Sequence, residues 1–212
     1  MRQTVWIARH GNRFDFVNPQ WFNNAIRRYD PPLSEDGFIQ ARQLGNRLQG
    51  EQITQIFSSP FLRTIQTANE VAEILDLPIK LEAGLSEWHK QDWMSESPQI
   101  HPREYLKIHY PRIDWTYHSQ IFPQYPESEI EVNTRTMAIA QKLVSKYTEN
   151  ILLVGHSASV LGATRGLVVG DPVVKTSLCC LVKVIRQHDR WHLELNGDTS
   201  HLNVTEQKVR LN

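Results

Sequence analysis

Arg9-His10-Gly11, Arg63 and Gly155-His156-Ser157 are the stretches of this chain whose residue types and settings point to chemistry. Arginine offers a planar fork of donors that fits phosphate or carboxylate. Histidine works as base, acid or nucleophile near neutral pH. Gly11 permits a sharp turn and a close approach of a ligand to the backbone. None of these is specific alone. Arg-His-Gly also describes a plain strand end with a hydrogen-bonded histidine. Arg63 fits an ordinary surface helix, and His156 a core histidine bonded to backbone.

The elements around them decide between these readings. Thr4-Val5-Trp6-Ile7-Ala8 reads as a short buried strand that ends at Arg9-His10. Residues 12–32 form a long, aromatic-rich loop or lid, closed by Asp30-Pro31-Pro32. Ser34 caps a helix whose apolar positions Phe38, Ala41, Leu44 and Leu48 repeat at helical spacing. A second short strand covers Ile53 and Ile56-Phe57. Ser58-Ser59-Pro60 then reads as a helix start, with a capping serine and proline in the first turn. That helix carries Arg63 and runs to about Leu75, and Ile79–Leu81 follows as a strand. From Gly84 to Pro126 the periodicity fails, which predicts an insertion of short helices and loops. A helix is expected from about Ser128 to Tyr147, with Ile130, Met137, Ile139, Ala140, Leu143 and Val144 on it. Ile151–Val154 is the clearest buried strand and ends at Gly155-His156, before an apolar helix from Ala158 to about Val168. Leu178–Ile185 and Trp191–Leu195 read as a terminal hairpin.

Strands alternating with helices predict an α/β fold, a three-layer αβα sandwich with a mainly parallel central sheet. Ligands of such sheets bind beyond the carboxyl ends of the strands. The strands ending at His10, Ser59 and His156, if neighbours, bring two arginines and two imidazoles to one rim. Two helix N-termini, after Ser59 and after His156, add partial positive charge there. That set suits a phosphoryl group better than a carboxylate.

Composition bounds the alternatives. The 212 residues suit a single domain over 1–212, with a lid at about 12–32 and an insertion at about 84–126. Lysine plus arginine equals aspartate plus glutamate, 23 each, so no overall field favours nucleic acid or a membrane surface. An anion site must therefore be a local cluster. Cys179 and Cys180 are adjacent, and their apolar flanks predict buried thiols within a strand and a reducing compartment. No apolar run reaches membrane-spanning length, and the N-terminus shows no signal-peptide core, so a cytoplasmic location is expected.

Arg9-His10-Gly11, Pro32-Leu33-Ser34-Glu35-Asp36-Gly37 with Gln40-Ala41, Ser58-Ser59-Pro60-Phe61-Leu62-Arg63-Thr64 with Gln66-Thr67-Ala68, and Gly155-His156-Ser157 together resemble the histidine phosphatase, or phosphoglycerate mutase-like, superfamily. Arg9–Asp15, Asp30–Ser34 and Glu87-Trp88-His89-Lys90 are most similar to the phosphatase domain of the suppressor of T-cell receptor signalling proteins. Asn12 departs from that group's acidic residue, and Gly155-His156-Ser157 from the commoner Ser-His-Gly order.

The resemblance implies a phosphoglycerate mutase-like fold and a metal-independent hydrolysis of phosphomonoesters through a phosphohistidine. His10 is then the nucleophile. Arg9, Arg63 and His156 hold the phosphoryl oxygens, with Arg13 and Ser157 as further substrate-binding residues. Glu87 is the implied proton donor, a role that needs a raised pKa, for which Leu85, Trp88 and Trp93 supply desolvation. No cofactor and no metal are implied. The expected partner is a small phosphomonoester or phosphotyrosine-like substrate, with no nucleic acid and no membrane, and a homodimer is allowed. Substrate choice is expected to lie in the lid and the insertion, although most aromatics there suit packing.

Three rival readings stand beside this. A phosphoglycerate mutase-type phosphotransferase uses the same residues, but the family's mutases follow the acid with a glycine-rich stretch ending in Glu-Gly, which Trp88-His89-Lys90-Gln91-Asp92 lacks. A serine hydrolase would use Ser157 in Gly155-His156-Ser157-Ala158-Ser159, with Asp171 or Asp198 and His192 or His201. It leaves Arg9, His10 and Arg63 unused. A non-catalytic phosphate-binding module would keep the pocket without the turnover.

Overall fold

The computed structural model describes residues 3–203. The strands are β1 (Thr4–Arg9), β2 (Ile53–Ser58), β3 (Ile79–Leu81), β4 (Asn150–Gly155), β5 (Leu181–Gln187) and β6 (Arg190–Asp198). The helices are α1 (Phe14–Val17), α2 (Trp21–Asn24), α3 (Glu35–Leu48), α4 (Leu62–Leu75), α5 (Arg103–His109), α6 (Glu129–Lys146) and α7 (Ser157–Leu167). The sheet runs β3-β2-β4-β1-β5-β6. β3, β2, β4 and β1 are mutually parallel, and β5 is antiparallel to both β1 and β6. The strands that end at His10, Ser59 and His156 are thus neighbours, as the rim requires. Arg9 sits beside Gly155, and Ser58 beside Val154.

Both faces of the sheet are covered, so Val5–Ala8 of β1 and Ile151–Val154 of β4 are apolar without a break. Alternate residues feed opposite layers. Trp6, Ala8, Leu152 and Val154 pack with Leu44 and Leu48 of α3 and Val71 of α4. Val5, Ile7, Ile151 and Leu153 pack with Leu143 of α6 and Val160 of α7. The three-layer αβα arrangement follows from that alternation.

Local signals explain the helix starts. Ser34 Oγ accepts the Gly37 N–H at 3.3 Å, capping α3. Ser128 and Glu131 form a reciprocal capping box at α6. Ile130, one residue into α6, is exposed. Ser59 does not cap α4: the helix starts at Leu62, and the carboxylate of Asp30 accepts the Leu62 N–H at 2.6 Å. A distant lid residue does the work assigned to the serine.

The lid is partly helical, through α1 and α2, and pinned at both ends. Arg13 bridges Leu33, and the Phe14 N–H donates to Pro32 O at 2.9 Å. The insertion is fastened by Glu82, a buried carboxylate. It accepts from Gly84 N at 2.8 Å, Gln120 N at 2.9 Å and the Tyr117 hydroxyl at 2.5 Å. Cys179 and Cys180 are buried, but they lie in the turn before β5 rather than within it, and Cys179 takes a positive φ of 53°. The Cys179 N–H there donates to His10 O at 3.0 Å, supporting the rim from below. His188 and Asp189, both at positive φ, turn β5 into β6. No helix among the described residues is long and apolar enough to cross a membrane.

Candidate active site

His10 leaves β1 fully buried. Its Nδ1 lies 2.7 Å from Gly11 O. A carbonyl only accepts, so Nδ1 carries the proton and Nε2 presents a lone pair. Nε2 has no hydrogen-bond partner among the described residues. Burial first, then Arg63, Arg9 and His156, pushes the His10 pKa well below its usual value. The ring is therefore neutral at physiological pH.

The loop behind His10 is held by the neighbouring motif stretches. Gly11 N donates to Thr67 Oγ1 at 3.1 Å. Asn12 N donates to Gln40 Oε1 at 2.8 Å, and Asn12 Nδ2 to Asp36 Oδ2 at 2.8 Å. Gly11 serves a purpose other than the expected one. A Cβ there would stand 2.5 Å from Gly37 O, so the close approach is by the start of α3, not by a ligand. Its φ lies outside the left-handed region.

His156, the N-cap residue of α7, meets His10 edge to face. His156 Nδ1 lies 3.2 Å from both Arg63 Nη2, a donor, and Glu87 Oε2, an acceptor, and its Nε2 shares a 2.8 Å hydrogen bond with Ser59 Oγ. Burial lowers the His156 pKa to about 4, with Arg63 adding to the fall and Glu87 opposing it. Arg63 is itself buried. Its Nη1 donates to Tyr29 O at 3.3 Å and its Nη2 to Glu87 Oε2 at 3.2 Å, while Asp30 Oδ1 lies 3.9 Å away. Burial and Arg13 lower its pKa to about 10, which leaves it charged.

Glu87 corrects the sequence expectation. Burial pushes its carboxyl up, but His156 and Arg63 pull harder, and the carboxyl titrates well below the usual range. The empty site holds a carboxylate there. Apolar neighbours alone suggested the opposite, because sequence does not show that two basic groups close on this carboxylate. Trp93, counted among the desolvating neighbours, is largely exposed.

A cavity of about 790 Å³ opens over these groups. Arg9, Arg13, Arg63, Glu87 and Ser157 supply its polar surface. Phe16, Phe22, Tyr29, Trp93 and Met94 form apolar walls. Arg9 Nη1 donates to Thr176 O at 2.7 Å. Arg13 is forked onto Asp15 at 2.9 and 2.6 Å and lies over the Phe16 ring, so its charge is already matched at the mouth. Arg9, Arg13, Arg63, Glu87 and Ser157 line this cavity, and His10 and His156, fully buried, meet edge to face next to Arg63 and Glu87.

Ser157 Oγ shares a 2.7 Å hydrogen bond with Thr176 Oγ1, not with a histidine. Asp171 pairs with Arg165, Asp198 with Ser200, and His201 Nε2 with Cys179 O. The proposed serine triad does not assemble. His10, Glu87 and His156 do offer ligand atoms within 4.8 Å of one another. Arg63 Nη2 already lies within 3.2 Å of both Glu87 and His156, and a fixed guanidinium there opposes a cation and favours an anion.

Sequence reasoning missed four supports. In the sequence, Ser59 and Asp30 carry only the signals of a helix start and a loop end. Thr67 lies within a stretch quoted for the family likeness, but no contact was assigned to it. Arg135 of α6 gave no signal. It is buried, forked onto Glu127 at 2.6 and 2.6 Å, and donates to the carbonyls of Gly84, Ser86 and Glu87 at 3.0–3.1 Å.

Comparison with known proteins adds the relationship. The yeast (Saccharomyces cerevisiae) transcription factor tau 55 kDa subunit is 30% identical over 182 residues, covering 79% of this chain and 41% of that protein. Human ubiquitin-associated and SH3 domain-containing protein A is 33% identical over 207 residues, covering 78% and 31%. The chain thus spans 31–41% of the length of these relatives. The ecdysone phosphate phosphatase of Bombix mori, solved with tungstate, superposes with a TM-score of 0.78 at 19% identity, covering 99% of this chain and 98% of that one. That likeness fixes the fold, a phosphoglycerate mutase-like α/β sandwich as expected. The family model of the histidine phosphatase superfamily, branch 1, matches residues 5–199, and the chain belongs to that superfamily.

Proposed function

We propose that this chain hydrolyses phosphomonoesters through a phosphohistidine on His10. One observation carries the reading. The His10 ring is buried and neutral, its Nδ1–H is spent on Gly11 O, and its Nε2 lone pair is left bare amid Arg9, Arg63 and His156. That is the state a nucleophile needs and one that a structural histidine has no use for.

The steps follow from the positions. Phosphoryl oxygens bind to Arg9, Arg63 and His156, with Arg13 and the Ser157 hydroxyl at the margin. His10 Nε2 attacks phosphorus as the ester P–O bond breaks. The bound phosphoryl charge offsets Arg63, so Glu87 loses the pull that keeps it ionised and takes up a proton on binding. It hands that proton to the leaving oxygen. Water then attacks the phosphohistidine, the N–P bond breaks, and Glu87 accepts the water's proton. The fixed donors supply charge stabilisation without reorganisation, and no step calls on a metal.

The apolar walls favour a leaving group with an aromatic or bulky apolar body over a small polyanion. They favour hydrolysis over a mutase reaction on a phosphoglycerate. The test is hydrolysis of aryl phosphates in the presence of chelator, with alkaline quench of the enzyme during turnover. The expected result is an acid-labile, base-stable phosphoprotein that His10→Ala abolishes with the activity. Full activity in His10→Ala, or binding of vanadate with no turnover at any pH from 5 to 8, overturns it.

A further inference from the structure

The insertion encloses a second cavity of about 400 Å³ that the proposed chemistry does not use. Pro60, Phe61, Pro98, Phe122, Pro123 and Tyr125 form its apolar walls. None of its lining side chains carries a formal charge at neutral pH, so it offers an ion nothing. His89 also lines it and is only 7% exposed. His89 Nδ1 lies 3.1 Å from Gln124 O, so it is the protonated nitrogen. Nε2 is then an acceptor, and it is buried with no partner among the described residues. A buried acceptor left unpaired destabilises the fold, and a ligand that donates to it recovers that cost.

We propose that this cavity binds a neutral, flat aromatic molecule bearing one hydrogen-bond donor, a phenol being the simplest, with its donor on His89 Nε2 and its ring between the proline and aromatic walls. The volume falls in the range of small-molecule sites, and the lining has their character: mostly apolar, with one fixed polar contact. Phe61 belongs to both regions of the molecule. Its ring meets His89 at 6.1 Å and His156 edge-on at 5.1 Å. The site stands independently of the phosphatase reading, since no residue of the proposed chemistry lines it.

The probe is 2-naphthol, titrated into the whole chain and followed by ligand-observed NMR, with naphthalene as the analogue lacking the donor. The wild type is expected to bind 2-naphthol saturably and about tenfold more tightly than naphthalene, the worth of one good buried hydrogen bond. Ser97→Trp, at the cavity's edge, is expected to weaken both at least tenfold. His89→Phe removes the preference for the naphthol and leaves naphthalene unchanged. Trp93→Ala, in the wall of the larger cavity, leaves both within twofold. No saturable binding overturns the proposal. Binding lost in Trp93→Ala but kept in Ser97→Trp overturns it too, since the ligand then sits over His10. An unchanged preference in His89→Phe removes His89 from the site.

Discussion

The imidazoles of His10 and His156 meet edge to face, with centroids 5.3 Å apart and planes inclined at 65°. Two cationic rings at that distance would repel, and burial lowers both pKa values. The pair therefore works as two neutral rings, one baring Nε2 and the other bonded through it to Ser59 Oγ. Ser59 sets the second ring. Ser59→Ala removes the hydrogen-bond partner of His156 Nε2 and is expected to lower kcat about tenfold with little change in fold. His156→Ala is expected to cost about a hundredfold to a thousandfold, the usual loss for a fixed transition-state donor. Steady-state aryl phosphatase assays compare the two. Equal losses would show that the ring's presence, not its orientation, is what Ser59 protects.

Arg63 spends a different nitrogen on each side of the pocket, with Nη1 on Tyr29 O and Nη2 on Glu87 and His156. A lysine at that position keeps the charge but has neither the fork nor the planarity. Arg63→Lys is expected to lower kcat/KM by at least a hundredfold, while phosphate still inhibits weakly. A loss under fivefold would mean that charge alone suffices.

Asp30 gives a pH signature of stability. Burial pushes its pKa up to about 6, against the pull of Arg63 and the Leu62 N–H. In the unfolded chain an aspartate titrates near 3.9. Between those values the folded state keeps a proton that the unfolded state has released, so this group's contribution grows more favourable as pH falls from 6 to about 4. Above 6 the buried carboxylate costs the fold about 2–3 kcal/mol. Asp30→Asn keeps an oxygen for the Leu62 N–H and removes the charge. Its denaturation midpoint is expected to exceed that of the wild type at pH 8, and the gap to close by pH 4. A variant that is less stable at pH 8 would show that attraction to Arg63 outweighs burial.

Arg135 and Glu127 form a buried pair that grips the backbone of Gly84, Ser86 and Glu87. Arg135→Met leaves Glu127 charged and alone, and is expected to cost about 3–5 kcal/mol. Arg135→Met with Glu127→Leu removes both charges and is expected to regain most of that stability. Its kcat is expected to stay about tenfold low, because the Glu87 carbonyl remains unheld. Denaturant titration and kcat measured together separate the two effects. Recovery of kcat along with stability would reduce the pair to a structural one.

Much of this was legible from residue types. Short, largely apolar runs at Thr4–Ala8 and Ile151–Val154 read as buried strands, and helical spacing gave α3, α4 and α6. The rule that ligands sit beyond strand ends then gathered Arg9, His10, Arg63 and His156 before any coordinates. What escaped was set by contacts between residues far apart in the chain. Asp30, not Ser59, caps α4, because the lid folds back across 32 positions. Glu87 is acidic rather than raised, because Arg63 and His156 come from other elements. Cys179 and Cys180 look like strand residues by hydropathy, yet a turn at positive φ holds them below His10.

The double pinning of the lid bears on which substrates enter. Arg13 and Leu33 close its two ends, and Asp30 ties its last turn to the arginine-bearing helix. The stretch between behaves as an exchangeable cassette on a fixed frame. Rewriting Phe16–Arg28 while keeping Asp15 on Arg13 is expected to change which esters the cavity admits and leave the groups beneath it in place.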